Sequence, residues 1–194
     1  MAGLQFRYHP TVADFAVPKK EYLAAHADGA FGYIATSAIV VDRFAGPDPR
    51  VLLLQRAAGD SDPNLWEPAG GACEDDDASI LRAAARELWE EAGLEAAFIV
   101  GQVGKPHFYL ADDDAKRVCQ FNFVVLPKED QEPAVRLDPD EHQRFVWATK
   151  AEIEARRVES EGVDLVFTRE EVRLSVLQAF DYCPLQSDTN QGEA

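Results

Sequence analysis

The sequence predicts an α/β fold in which a mixed β-sheet lies between helical layers. Three observations carry this. Runs rich in β-branched and aromatic residues fill the middle of the chain, one stretch near residue 85 has helical periodicity, and two Thr-x-x-Glu patterns stand near the C-terminal end. At 194 residues and 46% hydrophobic, the chain suits one core with decorated ends.

Residues 1–30 mix Pro10 and Pro18 with a short helix-like piece at 19–28. They are expected to form an arm packed on the main domain, which spans 31–183 and leaves 184–194 as a polar, flexible tail. Residues 31–42 and 51–56 read as strands joined by a turn at 45–49, a hairpin whose second strand is almost wholly apolar and therefore central. A polar loop follows at 57–64. From 78 to 92 the pattern turns helical: Leu81, Ala84, Ala85, Leu88 and Ala92 share one face, and Gly93 stops the helix. The acidic run at 74–77 complements the dipole at its start. Further strands are expected at 97–103, 105–110, 117–126 and 145–148. Thr149-x-x-Glu152 and Thr168-x-x-Glu171 read as capping boxes opening two C-terminal helices.

The formal net charge is −16, from 35 acidic and 19 basic residues. Such a surface repels nucleic acid polymers and anionic membranes, so an anionic substrate would need bound cations to bring it in. No apolar run has the length to span a bilayer, and the N-terminal residues lack a secretory h-region, so a cytoplasmic address is the default expectation. Cys73, Cys119 and Cys183 are far apart and lack zinc spacing, which reads as ordinary thiols. His107 and His142 read as strand-end or loop residues rather than ligands.

The chemistry concentrates on one helix. Glu87, Glu90 and Glu91 stand at i, i+3 and i+4 and project from one side, where like charges destabilise a helix. A solvated face would interleave Lys or Arg, yet only Arg86 is near in sequence, placed to pair with Glu90. A hard divalent cation resolves the repulsion, because Mg²⁺ takes oxygen ligands and shares them with substrate phosphates. Three glutamates alone fit an acidic surface helix as well; their neighbours decide against it.

The stretch Arg86-Glu87-Leu88-Trp89-Glu90-Glu91-Ala92-Gly93-Leu94 resembles the core of the Nudix box, and the chain resembles a Nudix hydrolase over about residues 31–153. The family's isolated glutamate falls on Ala78 counted back from Arg86 and on Asp77 counted forward from Gly71, as if one residue were inserted and Asp77 were a shortened substitute. The resemblance implies a Nudix-type α/β/α sandwich and hydrolysis of a diphosphate linkage in a nucleoside diphosphate derivative. It implies Mg²⁺, with Mn²⁺ as the alternative, on Glu90, Glu91 and Glu87, with the Gly71 backbone as a further ligand. Arg86 orients a glutamate, and the general base comes either from the box, where Glu90 and Glu87 are the catalytic candidates, or from a later loop, where Glu141 is the leading distal candidate. Arg56 is a candidate for a substrate phosphate, and Trp66 and Phe108 for stacking on the leaving group. Two rivals stand beside this reading. One is a catalytically silent Nudix-fold module that binds a nucleotide or a protein; the other is an isoprenyl diphosphate isomerase using Cys73.

Overall fold

A computed structural model describes residues 5–26, 31–42, 48–111, 116–128 and 134–182. In chain order the strands are β1 (Arg7–Tyr8), β2 (Tyr33–Asp42), β3 (Arg50–Arg56), β4 (Trp66–Glu67), β5 (Ala69–Ala72), β6 (Ala96–Ala111), β7 (Lys116–Pro127), β8 (His142–Thr149), β9 (Arg157–Val158) and β10 (Val163–Asp164). The α-helices are α1 (Lys19–Ala25), α2 (Ile80–Ala92), α3 (Lys150–Ala155) and α4 (Glu170–Ala179). An eight-stranded sheet runs β1-β6-β7-β2-β3-β4, with β5 also on β2 and β8 on β3. It is mixed because β2 lies parallel to β7 over eight residues and β1 parallel to β6, while the other pairs are antiparallel.

Alternation along the strands builds two cores. On β2, Ile34, Ala38 and Val40 face the layer of α2 while Ile39 and Val41 face that of α4; on β3, Leu52 and Leu54 oppose Val51 and Leu53. The first core takes the apolar stripe of α2, whose Leu81, Ala84, Ala85, Leu88 and Ala92 are fully buried, with Val12 and Phe15 from the N-terminal segment. The second takes Ile153 of α3 with Val172 and Val176 of α4. The α/β/α sandwich expected from the sequence is thus the observed architecture.

Four expectations change. The β2–β3 hairpin is paired only at Val41–Val51 and Asp42–Arg50, after which β3 leaves β2 to pair with β8 and β4; its expected turn overlaps residues outside the described ones. The strands expected at 97–103 and 105–110 are one strand, β6, interrupted by an irregular register between Val103 and His107 where Gly104 takes φ 66°. Thr149 closes a capping box on α3, but α4 begins one residue later than expected, with Arg169 at its N-cap and no side-chain cap bond. The acidic run at 74–77 does not enter the first turn of α2, which carries no acid and is capped by the Ser79 hydroxyl. Asp75 instead pairs with Lys19 and Lys20.

Candidate active site

Helix α2 presents its glutamates to a cleft of about 370 Å³. Gly70 and Gly71 of β5 form one wall, Arg56 at the end of β3 a second, and Glu141 and His142 at the start of β8 a third. Local hydrogen bonds fix this meeting. The Glu141 carbonyl accepts from Ala57 N–H at 2.8 Å, tying the turn before β8 to the end of β3. Asp138 N–H donates to the Glu91 carbonyl at 3.3 Å and Arg136 N–H to the Ala92 carbonyl at 2.9 Å, so the same turn is fastened to the C-terminal end of α2. That end closes because Gly93 takes φ 68° and returns its N–H to the Trp89 carbonyl.

Glycine is required where β5 meets the helix. A Cβ on Gly71 would come within 2.7 Å of Glu87 Oε1, so its absence lets the Glu87 carboxylate lie against the strand. A Cβ on Gly70 would stand 2.2 Å from the Thr36 carbonyl oxygen, inside the backbone of β2. Gly70 N–H donates to Glu91 Oε2 at 2.9 Å, so the two glycines seat two different glutamates, and Gly71 lines the cleft where its backbone was expected to serve as a ligand.

Arg86 organises the other two glutamates. Its guanidinium meets Glu87 at 2.9 Å and Glu90 at 2.8 Å, and donates to the Ala72 carbonyl at 3.0 Å. It also forms a two-pronged bond to Asp77, at 3.1 and 3.0 Å. Asp77 is only 8% exposed and accepts in addition from Glu74 N–H. The residue that breaks the box spacing is therefore the anchor of Arg86. Burial pulls the Arg86 pKa down, but its bonds to Asp77 and Glu90 and the charge of Glu87 outweigh this and raise it.

The carboxylates sit in a strained electrostatic setting. Burial pushes the Glu87 carboxyl up to about 7, with Arg86 opposing and Glu90 and Glu141 reinforcing. Burial holds Glu91 well above the usual carboxylate range; the Gly70 N–H opposes, and the charges of Glu87 and Glu141 reinforce. Among the described residues no Lys or Arg pairs with Glu91. One ligand atom each from Glu91, Glu141 and His142 lies within 4.8 Å of the other two. His142 is 3% exposed, neither ring nitrogen has a hydrogen-bond partner among the described residues, and burial pushes its pKa down to about 4. The cleft lining counts six carboxylates (Asp60, Glu74, Glu87, Glu90, Glu91 and Glu141) against the guanidinium groups of Arg56 and Arg86. An oxygen-rich set with uncompensated negative charge is what a hard divalent cation takes, so these residues fit one.

The structure thus brings together Arg56, Gly71, Arg86, Glu87, Glu90, Glu91 and Glu141. It does not bring in two expected aromatics. Trp66 is 1% exposed and packed in the second core, because its β4 position faces inward over β3. Phe108 is exposed on β6 beside Phe31 and does not line the cleft. His142 is a strand-end residue as expected, the first of β8, and it is also buried and lines the cleft. Its adjacency to Glu141 was the available signal. Cys73, although beside the box, is buried and its thiol is pushed up to about 12, chiefly by burial and then by Asp77, which leaves it a poor nucleophile.

Comparison with known proteins agrees with this geometry. The family profile described as NUDIX domain matches residues 33–167. The CTP pyrophosphohydrolase of Escherichia coli (strain K12) is 33% identical over 119 residues, which make up 61% of this chain and 78% of that protein. Two solved structures share the fold. A C. elegans Ap4A hydrolase binary complex is 20% identical with a TM-score of 0.57, covering 79% of this chain and 98% of that one. The NUDIX domain of Shewanella oneidensis NrtR complexed with ADP ribose is 18% identical with a TM-score of 0.55, covering 87% and 97%. The chain belongs to the NUDIX domain family and is a Nudix-type pyrophosphohydrolase.

Proposed function

We propose that the chain hydrolyses the diphosphate linkage of a nucleoside diphosphate derivative, of the nucleotide, nucleotide sugar or ADP-ribose type, and requires a divalent cation, Mg²⁺ or Mn²⁺. The observation that carries this is the surplus of carboxylates in the cleft, with buried Glu91 paired to no cationic side chain among the described residues. A diphosphate is itself an anion, and it enters such a cleft only with cations between it and the carboxylates. The cleft is lined mainly by polar groups and has room for a diphosphate.

Glu91, Glu90 and Glu87 would hold the cation, which when bound neutralises phosphoryl oxygens and favours ionisation of water. Arg86 acts as a positioning residue: anchored on Asp77, it sets Glu87 and Glu90 at fixed places along the helix. Glu141 is the proposed base, its exposed carboxylate on the cleft wall able to take the proton of the attacking water. Arg56, braced by Asp60 and Glu67, offers its guanidinium to a substrate phosphate at the cleft edge. The raised Cys73 thiol disfavours the isomerase alternative.

The test is a panel of nucleotides and nucleotide sugars, including CTP, ADP-ribose and Ap4A, assayed with Mg²⁺ and with Mn²⁺. At least one should be cleaved, and Glu141→Gln should lower kcat by about 10²–10⁴. If no compound is cleaved yet one binds, with an affinity that Glu90→Gln leaves unchanged, a silent binding module replaces the hydrolase.

A further inference from the structure

We infer that His142 is a nitrogen ligand of a mixed site with Glu91 and Glu141, and that this site favours Mn²⁺ over Mg²⁺. The inference rests on the metal-dependent reading above and goes beyond its all-oxygen set of box ligands; Glu141 would meet the ion through one carboxylate oxygen and keep the other for the proton of the attacking water.

Two independent observations support it. The first is the juxtaposition: one ligand atom of each residue lies within 4.8 Å of the other two, a span that a single ion can close with small side-chain movements. The second is the state of the imidazole. His142 is 3% exposed, and both ring nitrogens lack a hydrogen-bond partner among the described residues. A polar ring nitrogen buried without a partner is unfavourable, because it has lost its water and gained nothing in exchange. His107, which is partly buried, bonds through Nε2 to the Ser175 hydroxyl at 3.0 Å and leaves only Nδ1 unpartnered, whereas His142 bonds through neither nitrogen. His142 lines the cleft beside two carboxylates instead.

The backbone holds it there. Its N–H donates to the Asp138 carbonyl at 2.8 Å, and it pairs with Arg56 where the β3–β8 register shifts. That irregularity sits between Gln55 and Arg56, and it belongs to the segment that delivers both Glu141 and His142 to the cleft.

The chemistry of the donor set then sets the preference. Mg²⁺ is hard, takes oxygen ligands and keeps its waters. Imidazole nitrogen is a better ligand for first-row transition ions than for Mg²⁺. One imidazole with two carboxylates therefore shifts selectivity toward Mn²⁺ without excluding Mg²⁺ from the neighbouring carboxylates.

The test uses the full chain with Mn²⁺ as probe. Pulsed EPR of bound Mn²⁺ should show coupling to ¹⁴N in the wild type and none in His142→Gln. Calorimetric titration should find Mn²⁺ affinity lowered by about tenfold or more in His142→Gln, with Mg²⁺ affinity changed by no more than about twofold. The wild-type spectrum decides the matter if the variant misfolds. Mn²⁺ bound to the wild type without ¹⁴N coupling overturns the assignment of His142 and leaves metal-dependent hydrolysis standing. Absence of binding by either cation overturns both.

Discussion

In metal-free protein at pH 8, Glu87 must stay ionised in a place where burial lifts its carboxyl to about 7. Its folded pKa lies above the unfolded value, so its contribution to stability is lost as pH rises from about 4.5 through 7. Glu87→Gln has no proton to lose there. With EDTA present, the stability of Glu87→Gln relative to wild type should therefore rise across that window, by on the order of 3 kcal/mol, and level off above it. Denaturant unfolding at pH 4.5, 6 and 8 measures this; a difference that falls with pH would contradict it. Asp77 makes a second case. Removing its carboxylate leaves the partly buried Arg86 with Glu87, Glu90 and the Ala72 carbonyl but without its anchor, so Asp77→Ala should cost roughly 1–3 kcal/mol and lower kcat more than it changes KM. The glutamates of α2 were legible in the sequence because helical spacing alone puts them together. Asp77 was legible only as a displaced acid of the box, and neither its bond to Arg86 nor the place of His142 was, since their partners are fixed by the tertiary meeting of loop, helix and strand. Trp66 misled for the opposite reason: an aromatic beside a polar loop looks available, and only the sheet turns it inward.

At the scale of elements, β5 and α2 act as a matched pair. Gly70→Ala would drive a Cβ into the backbone of β2, which cannot yield, so the variant should lose at least about 2 kcal/mol of stability. Gly71→Ala meets the far end of the Glu87 side chain instead. It should keep most of the stability and lose activity, because the carboxylate must shift. Comparing the two by thermal melts and kcat separates the structural glycine from the one that seats the site. The C-terminal helices offer a second contrast: Thr149→Ala should cost about 1 kcal/mol through its capping box, whereas α4 has no such bond to lose at Thr168. Both Thr-x-x-Glu patterns looked alike in sequence, and the start of α4 at Glu170 decided between them. β4 and β5 were not legible as strands, being two and four residues long and broken by Pro68, Gly70 and Gly71. Their pairing with β3 and β2 forms them.

Across the whole molecule, the sandwich is a scaffold that gathers negative charge in one place. The layers and the mixed character of the sheet followed from the order of strand-like and helix-like stretches. The parallel β2–β7 pairing did not, because eight registered residues between distant segments have no local sequence signal. With a net charge of −16 and a carboxylate-lined cleft, the folded chain should be stabilised by bound divalent cation. At about 100 times the dissociation constant, Mn²⁺ should raise Tm by roughly 5–10 °C. NaCl at equal ionic strength should not reproduce the shift, and Glu91→Gln should remove most of it. Metal-dependent hydrolysis is tested by ³¹P NMR of a nucleoside diphosphate derivative incubated with the enzyme in ¹⁸O-labelled water. Hydrolysis at the cation-loaded cleft should cleave the diphosphate with ¹⁸O in one phosphate product, and EDTA and Glu91→Gln should each abolish it. Cleavage that persists in EDTA, or no cleavage of any compound in the panel, would contradict it.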